Sequence, residues 1–307
     1  MFKNFVYNKT FKMIGLLIIL AIILIFPIST KYELNNDQPN LKSNTKVYLI
    51  NNDNYISETE VSLQYDSLEN KIRNIIELMI IEGKYSDIIP NKFMAILPSD
   101  TKLLDFKTKD DSIILNFNSS FLKINSHYMD KYISLIVHNC LNNDKYNKLY
   151  IEVESKLLTK YNNKSYDQPF TKSNNFNVIN NLSSYINVLK TNVYFYSKSK
   201  DLVPVTVLNN SEEEKVKIII DELSNSNYKN LYSPLNYGVN LLDYKKEDET
   251  MILFFDESIF DNKYNKVILK SVYNLLETSI INNYPVKNIK VYVNNKEIKK
   301  SDIKNVE

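Results

Sequence analysis

KLLDFKTKDDSIILNFNSSFL, Lys102–Leu122, is repeated in outline further along the chain as NLLDYKKEDETMILFFDESIF, Asn240–Phe260. A constant offset carries Leu103 to Leu241, Ile114 to Ile252, Leu115 to Leu253, Phe117 to Phe255 and Leu122 to Phe260 without a gap. If LLD were a catalytic signature, two copies would mean two sites; if it is scaffold, they mean two domains. In each copy, two runs rich in large apolar residues flank a charged gap, KTKDDS or KKEDET, the pattern of an antiparallel hairpin. The leucines are expected to pack under helices, with Asp105 and Asp243 at strand ends or facing outward.

Working outward, the flanks repeat too. Each copy opens on an alternating strand, TKVYLI at Thr45–Ile50 and TNVYFY at Thr191–Tyr196. A helix start follows: Ser211 and Glu214 have capping-box spacing, and Asp66 and Glu69 offer the same spacing in the first copy. Ile72, Ile75, Ile76, Met79 and Ile80 then form a one-sided stripe, and Val216, Ile219, Ile220 and Leu223 match its first four positions. After the hairpin, a second helix carries Met129, Tyr132, Ile133, Ile136, Val137, Cys140 and Leu141. An offset of about 139 pairs these with Ile268, Ser271, Val272, Leu275, Leu276, Ser279 and Ile280. LYIEV, Leu149–Val153, and IKVYV, Ile289–Val293, close the copies.

The unit is therefore β-(β)-α-β-β-α-β, twice. The fold class is α+β: two tandem two-layer domains, each a small mixed β-sheet with two helices packed on one face, preceded by an N-terminal transmembrane helix. The other sheet face carries Tyr48, Tyr194, Tyr292 and Glu152. Partly open faces and unpaired edges of this kind suit protein partners.

Composition narrows the function. With 307 residues and 44% hydrophobic content the chain has material for two domains, and a net charge of +2, with Arg73 the only arginine, marks no nucleic-acid binder. Cys140 is the only cysteine, which excludes an internal disulfide and multi-cysteine metal sites. Three glycines, Gly15, Gly83 and Gly238, are too few and too scattered for phosphate cradles or dinucleotide fingerprints.

MIGLLIILAIILIFPI, Met13–Ile28, is uncharged and apolar, and follows Lys3, Lys9 and Lys12. Lysines before the run favour a single-pass anchor in the cell membrane with the bulk of the chain extracytoplasmic. A cleaved signal peptide is the rival reading, for which FPIST offers only a poor small-x-small site. The expected organisation is a cytoplasmic N-terminus and anchor at 1–30, a polar spacer at 31–44, domain 1 at 45–158, a linker at 159–190 and domain 2 at 191–307.

The second copy, with VYFYSKSKDLVPVTV at Val193–Val207, the helix at Glu212–Leu223, NLLDY, MILFFDESIF and IKVYVNN, resembles the GerMN domain of the GerM family of sporulation and spore germination proteins. The first copy resembles it more loosely. Pro98 and Gly238 keep parts of the family's proline and glycine before the hairpin; Glu154 and Asn294 replace its glycine after the last strand, and its common lipid-anchor cysteine is absent. The resemblance implies a non-enzymatic, membrane-anchored role in endospore formation or germination, as a scaffold or assembly factor for an envelope-spanning complex between mother cell and forespore. Other envelope and sporulation proteins are the implied partners. Homo-oligomer formation stays open, as does the alternative of a cell-wall module that binds peptidoglycan or polysaccharide through exposed tyrosines.

No catalytic, cofactor-binding or metal residue is expected, and no cofactor. His127 and His138 lie eleven residues apart on one helix, too far for an i, i+4 metal pair, and read as surface or helix-start residues. Cys140 falls on the apolar stripe and reads as a small core residue. The acidic pairs Asp110–Asp111, Glu212–Glu214 and Glu247–Glu249 fall in turns and helix starts, where they are solvated or favour the helix dipole.

Overall fold

The computed structural model describes residues 43–171, 175–210, 214–225, 227–261, 264, 266–299 and 303–304. The apolar run Met13–Ile28, the anchor, most of the spacer and Ser211 lie outside the described residues. Among the described residues no helix is long and apolar enough to cross a membrane. Residues 42–307 form one compact unit.

Domain 1 runs β1 (Ser43–Asn51), β2 (Ile56–Leu63), α1 (Leu68–Leu78), β3 (Phe93–Met94), β4 (Leu103–Lys109), β5 (Ser112–Phe117), α2 (Ser126–Leu141), β6 (Lys148–Val153) and β7 (Lys156–Leu157). The connecting stretch holds β8 (Lys160–Tyr161), β9 (Lys164–Ser165), β10 (Phe170–Thr171) and β11 (Ile179–Asn180). Domain 2 repeats the plan with β12 (Leu189–Ser197), β13 (Leu202–Asn209), α3 (Lys215–Asn225), β14 (Leu231–Tyr232), β15 (Leu241–Glu247) and β16 (Thr250–Phe255). It continues with β17 (Ile268–Leu269), α4 (Lys270–Ile281), β18 (Asn288–Val293), β19 (Lys296–Ile298) and β20 (Ile303–Lys304).

The expected hairpins form: β4 pairs antiparallel with β5 and β15 with β16, and β6 and β18 then add in parallel through the helical crossover. Phe117 and Phe255, Leu115 and Leu253, and Ile151 and Val291 point from these strands into the two cores and are fully or almost fully buried. In place of the single sheet per domain expected from sequence, the strands divide in two. β2-β1-β3 and β11-β13-β12-β14 are sheets of their own, separate from β10-β6-β5-β4 and β15-β16-β18-β19.

The reason is the second helix of each domain, which packs on both sheets: α2 touches β1 and β6, and α4 touches β12 and β18. Past the two residues that pair with β3, the free edge of β1 meets this helix instead of a strand. There the Tyr48 N–H donates to Asn139 Oδ1 (2.9 Å), and Asn139 Nδ2 donates back to the Tyr48 carbonyl (2.8 Å). A side-chain amide thus takes the place of one residue of a neighbouring strand and pairs both backbone groups of Tyr48. In domain 2 the Tyr194 N–H donates to Ser279 Oγ (3.0 Å), and Asn283 exchanges two bonds with Asn192.

These contacts correct the helix alignment. Asn139 matches Ser279, so the offset is that of the closing strands, and Cys140 matches Ile280 instead of Ser279. The start of α1 also moves by one residue: Ser67, not Asp66, is the N-cap, accepting from the Asn70 N–H at 3.2 Å. Glu69 is not part of a capping box either. Its carboxylate bonds Lys145 (2.5 Å) and the Tyr146 hydroxyl, which tie α1 to the loop after α2.

The stretch 159–190, expected as a linker, is woven into both domains. β10 pairs with β6, and β11 runs parallel to β13. Phe176 is buried, stacked on His138 with ring centroids 3.7 Å apart. Asn177 accepts from the Ile56 N–H (2.9 Å) and donates to the carbonyls of Ile56 (2.8 Å) and Pro204 (2.7 Å). At that point Pro204 has no N–H with which to extend a strand ladder to β2, and the asparagine amide fills the gap. Ser57 Oγ donates to the Leu202 carbonyl (2.6 Å), and Lys92 forms an ion pair with Asp201. Tyr48 and Tyr194, expected on an open sheet face, are largely enclosed: Tyr48 lies against Phe176 and His138, and Tyr194 lies near Tyr48.

Candidate interaction surface

The two hairpin sheets leave two features towards solvent: the edge strands β4 and β15, and the faces turned away from the helices. Both edges carry a bulge at the same place, between Leu103 and Asp105 and between Leu241 and Asp243. The extra residues, Leu104 and Leu242, are 50% and 59% exposed, so the second leucine of each LLD lies outside the core where the sequence placed it under a helix. A bulge twists an edge and interrupts its ladder, and lysines on the same strand discourage indiscriminate pairing. Lys107 and Lys245 play that part here, paired within their strands to Asp105 (2.6 Å) and Glu247 (2.7 Å).

Asp105 is therefore an ion-pair member: the hydrogen bond from Lys107 holds its carboxyl below the usual carboxylate range. Asp243 is exposed and accepts from the Tyr244 N–H (2.8 Å). Asp243 and Glu214 line the same open groove beside β15.

The outer faces differ between copies. In domain 1 the row Asp105, Asn116, Glu152 is polar, with Asn116 bonded to Ser155. The matching row of domain 2 is Asp243, Phe254, Tyr292, with the two rings 5.4 Å apart and Lys245 over the Phe254 ring at 5.8 Å. An open groove of about 860 Å³ runs beside β15, lined by Lys217, Leu241, Leu242 and Tyr244 among others. Glu152 and Tyr292 thus lie on the outer faces as read from sequence, whereas the bulge leucines carried no signal beyond their repetition.

The remaining sequence candidates are dispersed. His127 is exposed at the start of α2, edge-on to Tyr128, but His138 is buried, its Nε2 3.1 Å from the Asn175 carbonyl, instead of on the surface. Cys140 is buried, and burial pushes its thiol well above the ordinary range, the reverse of an activated nucleophile. Asp111 pairs with Lys148 (3.2 Å), Glu247 with Lys245 and Glu249 with Lys287 (2.7 Å); Glu212 lies outside the described residues. Among the described residues no group of three or more His, Cys, Asp or Glu is placed to hold a metal ion.

Residues 46–159 match the family described as Germane, sporulation and spore germination. The chain is 24% identical over 276 residues to the spore germination protein GerM of Bacillus subtilis (strain 168), a match that spans 85% of this chain and 74% of the relative. The solved structure of the tandem GerMN domains of the sporulation protein GerM from Bacillus subtilis matches with a TM-score of 0.70 at 22% identity, covering 86% of this chain and 94% of that one. The fold is thus that of two GerMN domains in tandem, a class defined by its paired hairpins and clasped helices. Within that class, residues 46–159 carry the Germane match, and the chain is similar over most of its length to the spore germination protein GerM of Bacillus subtilis.

Proposed function

We propose that this protein acts in endospore formation or germination as a non-enzymatic, membrane-anchored scaffold, helping to assemble a complex that spans the envelope between mother cell and forespore. The observation that carries the reading is the likeness to the tandem GerMN structure over 86% of the chain, which spans both domains and the woven stretch between them. The apolar run Met13–Ile28 is the anchor in this reading, and the two domains stand outside the cytoplasm. Partner proteins engage the edge strand β15 and the aromatic row beside it, where backbone groups and apolar side chains are offered together. A woven linker and an interdomain ion pair hold the domains as one body, which suits a part that sets the spacing of others.

Timed cross-linking in sporulating cells, followed by identification of the bound proteins, tests this. Recovery of envelope proteins of the sporulating cell with the wild-type chain, reduced by Leu242→Asp, is the expected result. Cross-links confined to cytoplasmic proteins would sink the proposal.

A further inference from the structure

The two copies differ at the place where the hairpin turn meets the start of the second helix. In domain 1 this place is plugged: Lys131 Nζ reaches across from α2 and donates to the Asn54 carbonyl in the β1–β2 turn (2.7 Å). Ile50 and Met94, which pair across β1 and β3, are aliphatic. In domain 2 the alignment set by Asn139 and Ser279 puts Ser271 where Lys131 stands, and the hairpin register puts Lys200 at Asn54, with a matching positive φ of 64° against 67°. Tyr196 and Tyr232 replace Ile50 and Met94. A serine cannot span the gap, and an open groove of about 560 Å³ results.

The lining of this groove is of one character. Tyr196 and Tyr232 lie side by side, ring centroids 5.7 Å apart and planes 32° apart, with Tyr232 42% exposed. The Tyr196 hydroxyl donates to the Ser271 carbonyl (3.5 Å), and Asn274 lines the groove beside it. Lys200 and Lys270 stand exposed at the rim, and among the described residues no carboxylate lines the groove. Among the described residues, Asp201, next to Lys200, is committed to Lys92.

We propose that this groove binds a saccharide carrying a carboxylate. The apolar face of a sugar ring rests on Tyr232, the carboxylate lies between Lys200 and Lys270, and the Ser271 hydroxyl bonds a ring substituent. Two lysines with no acidic counterpart among the described lining residues choose an anion, and an exposed aromatic face beside them chooses a ring with an apolar side over a bare phosphate, which needs donors on all sides. The inference concerns domain 2 alone and stands apart from the scaffold reading.

The test is calorimetric titration of the full chain in detergent micelles with N-acetylglucosaminyl-N-acetylmuramic acid, with a glucuronic-acid disaccharide, and with neutral diacetylchitobiose. Binding of either acidic sugar at least about tenfold tighter than the neutral one is expected, and the tighter of the two shows which placement of the carboxylate on the sugar the groove prefers. Tyr232→Ala, and Lys200→Gln combined with Lys270→Gln, each weaken it by about tenfold or more. Ser271→Lys, which carries the plug of domain 1 into domain 2, abolishes it. Equal affinity for acidic and neutral sugars, no binding of any, or undiminished binding by the double lysine variant, whose two positions are on the surface, would overturn the proposal.

Discussion

Tyr48 and Tyr194 occupy the same place in the two domains, and the backbone beside each meets a helix where a neighbouring strand would otherwise stand. Domain 1 satisfies this edge with one residue, Asn139, which serves both the N–H and the carbonyl of Tyr48. Domain 2 uses two residues: Ser279 accepts from Tyr194, and Asn283, one turn later, grips Asn192. Asn143, the counterpart of Asn283, instead closes the end of α2, accepting from the N–H groups of Lys145 and Tyr146. The demand belongs to the fold, because a strand edge against a helix must be paired. Different side chains can meet it, which is why the two copies share a frame while their sequences have drifted apart.

The largest expected effect breaks the frame itself. Phe117→Ala and Phe255→Ala empty matching, fully buried positions, each costing about 3–5 kcal/mol in urea denaturation. Phe117 is expected to cost the more by about 0.5–1.5 kcal/mol, since it stacks on Phe121 at 4.6 Å where domain 2 has Ile259. Equal losses would show that the stack adds nothing.

Asn139→Ala comes next, at about 2–4 kcal/mol, because it strands two backbone groups of Tyr48 at once. Ser279→Ala strands one and is expected to cost about 1–2 kcal/mol by the same measurement. If the two substitutions proved equal, the division of labour between Ser279 and Asn283 would be wrong.

Lys92→Gln tests what joins the copies. It leaves Asp201, with one buried carboxylate oxygen lacking a hydrogen-bond partner, without its cation, lowering stability by about 1–2 kcal/mol. Adding Asp201→Asn should recover part of that loss in thermal melts, and no recovery would argue against coupling between the two.

A smaller, pH-dependent difference comes from Glu69, for which the hydrogen bond from Lys145 and then that from Tyr146 lower the carboxyl from 4.5 to about 2. A depressed carboxylate stabilises the fold fully above its unfolded value and loses that contribution as pH falls from about 4.5 towards 2. Glu69→Gln should flatten the acid limb of stability measured by denaturation across that window, and an unchanged limb would dismiss the contact. The smallest effect is kinetic: Cys140 is expected to resist iodoacetamide in the native protein and to react once urea unfolds it. Rapid native labelling would place the thiol at the surface.

Much of the frame was legible in the sequence. The hairpin register, the stripe of α1 and the closing strands follow from alternation and helical periodicity, which are local and survive substitution by any residue of similar size. The alignment of the second helices was not. Every residue from Leu135 to Leu141 is buried, the polar His138 and Asn139 included, so α2 has no exposed face over that stretch to fix its phase, and a shift of one position looked equally good. The outer-face positions of Glu152 and Tyr292 could be read from alternation, but not the exposure of Leu104 and Leu242, since a bulge leaves no mark in an apolar pair.

By itself, then, the sequence determined that there are two copies, which elements each contains and which family they resemble, because all of these are written in short-range patterns. Only the tertiary structure decided that each domain holds two sheets clasping a helix, that the polar stretch 159–190 ties the domains together, and that one copy is plugged where the other is open. Those outcomes depend on which backbone groups find partners far away in the chain: Tyr48 with Asn139, Ile56 with Asn177, Asn54 with Lys131.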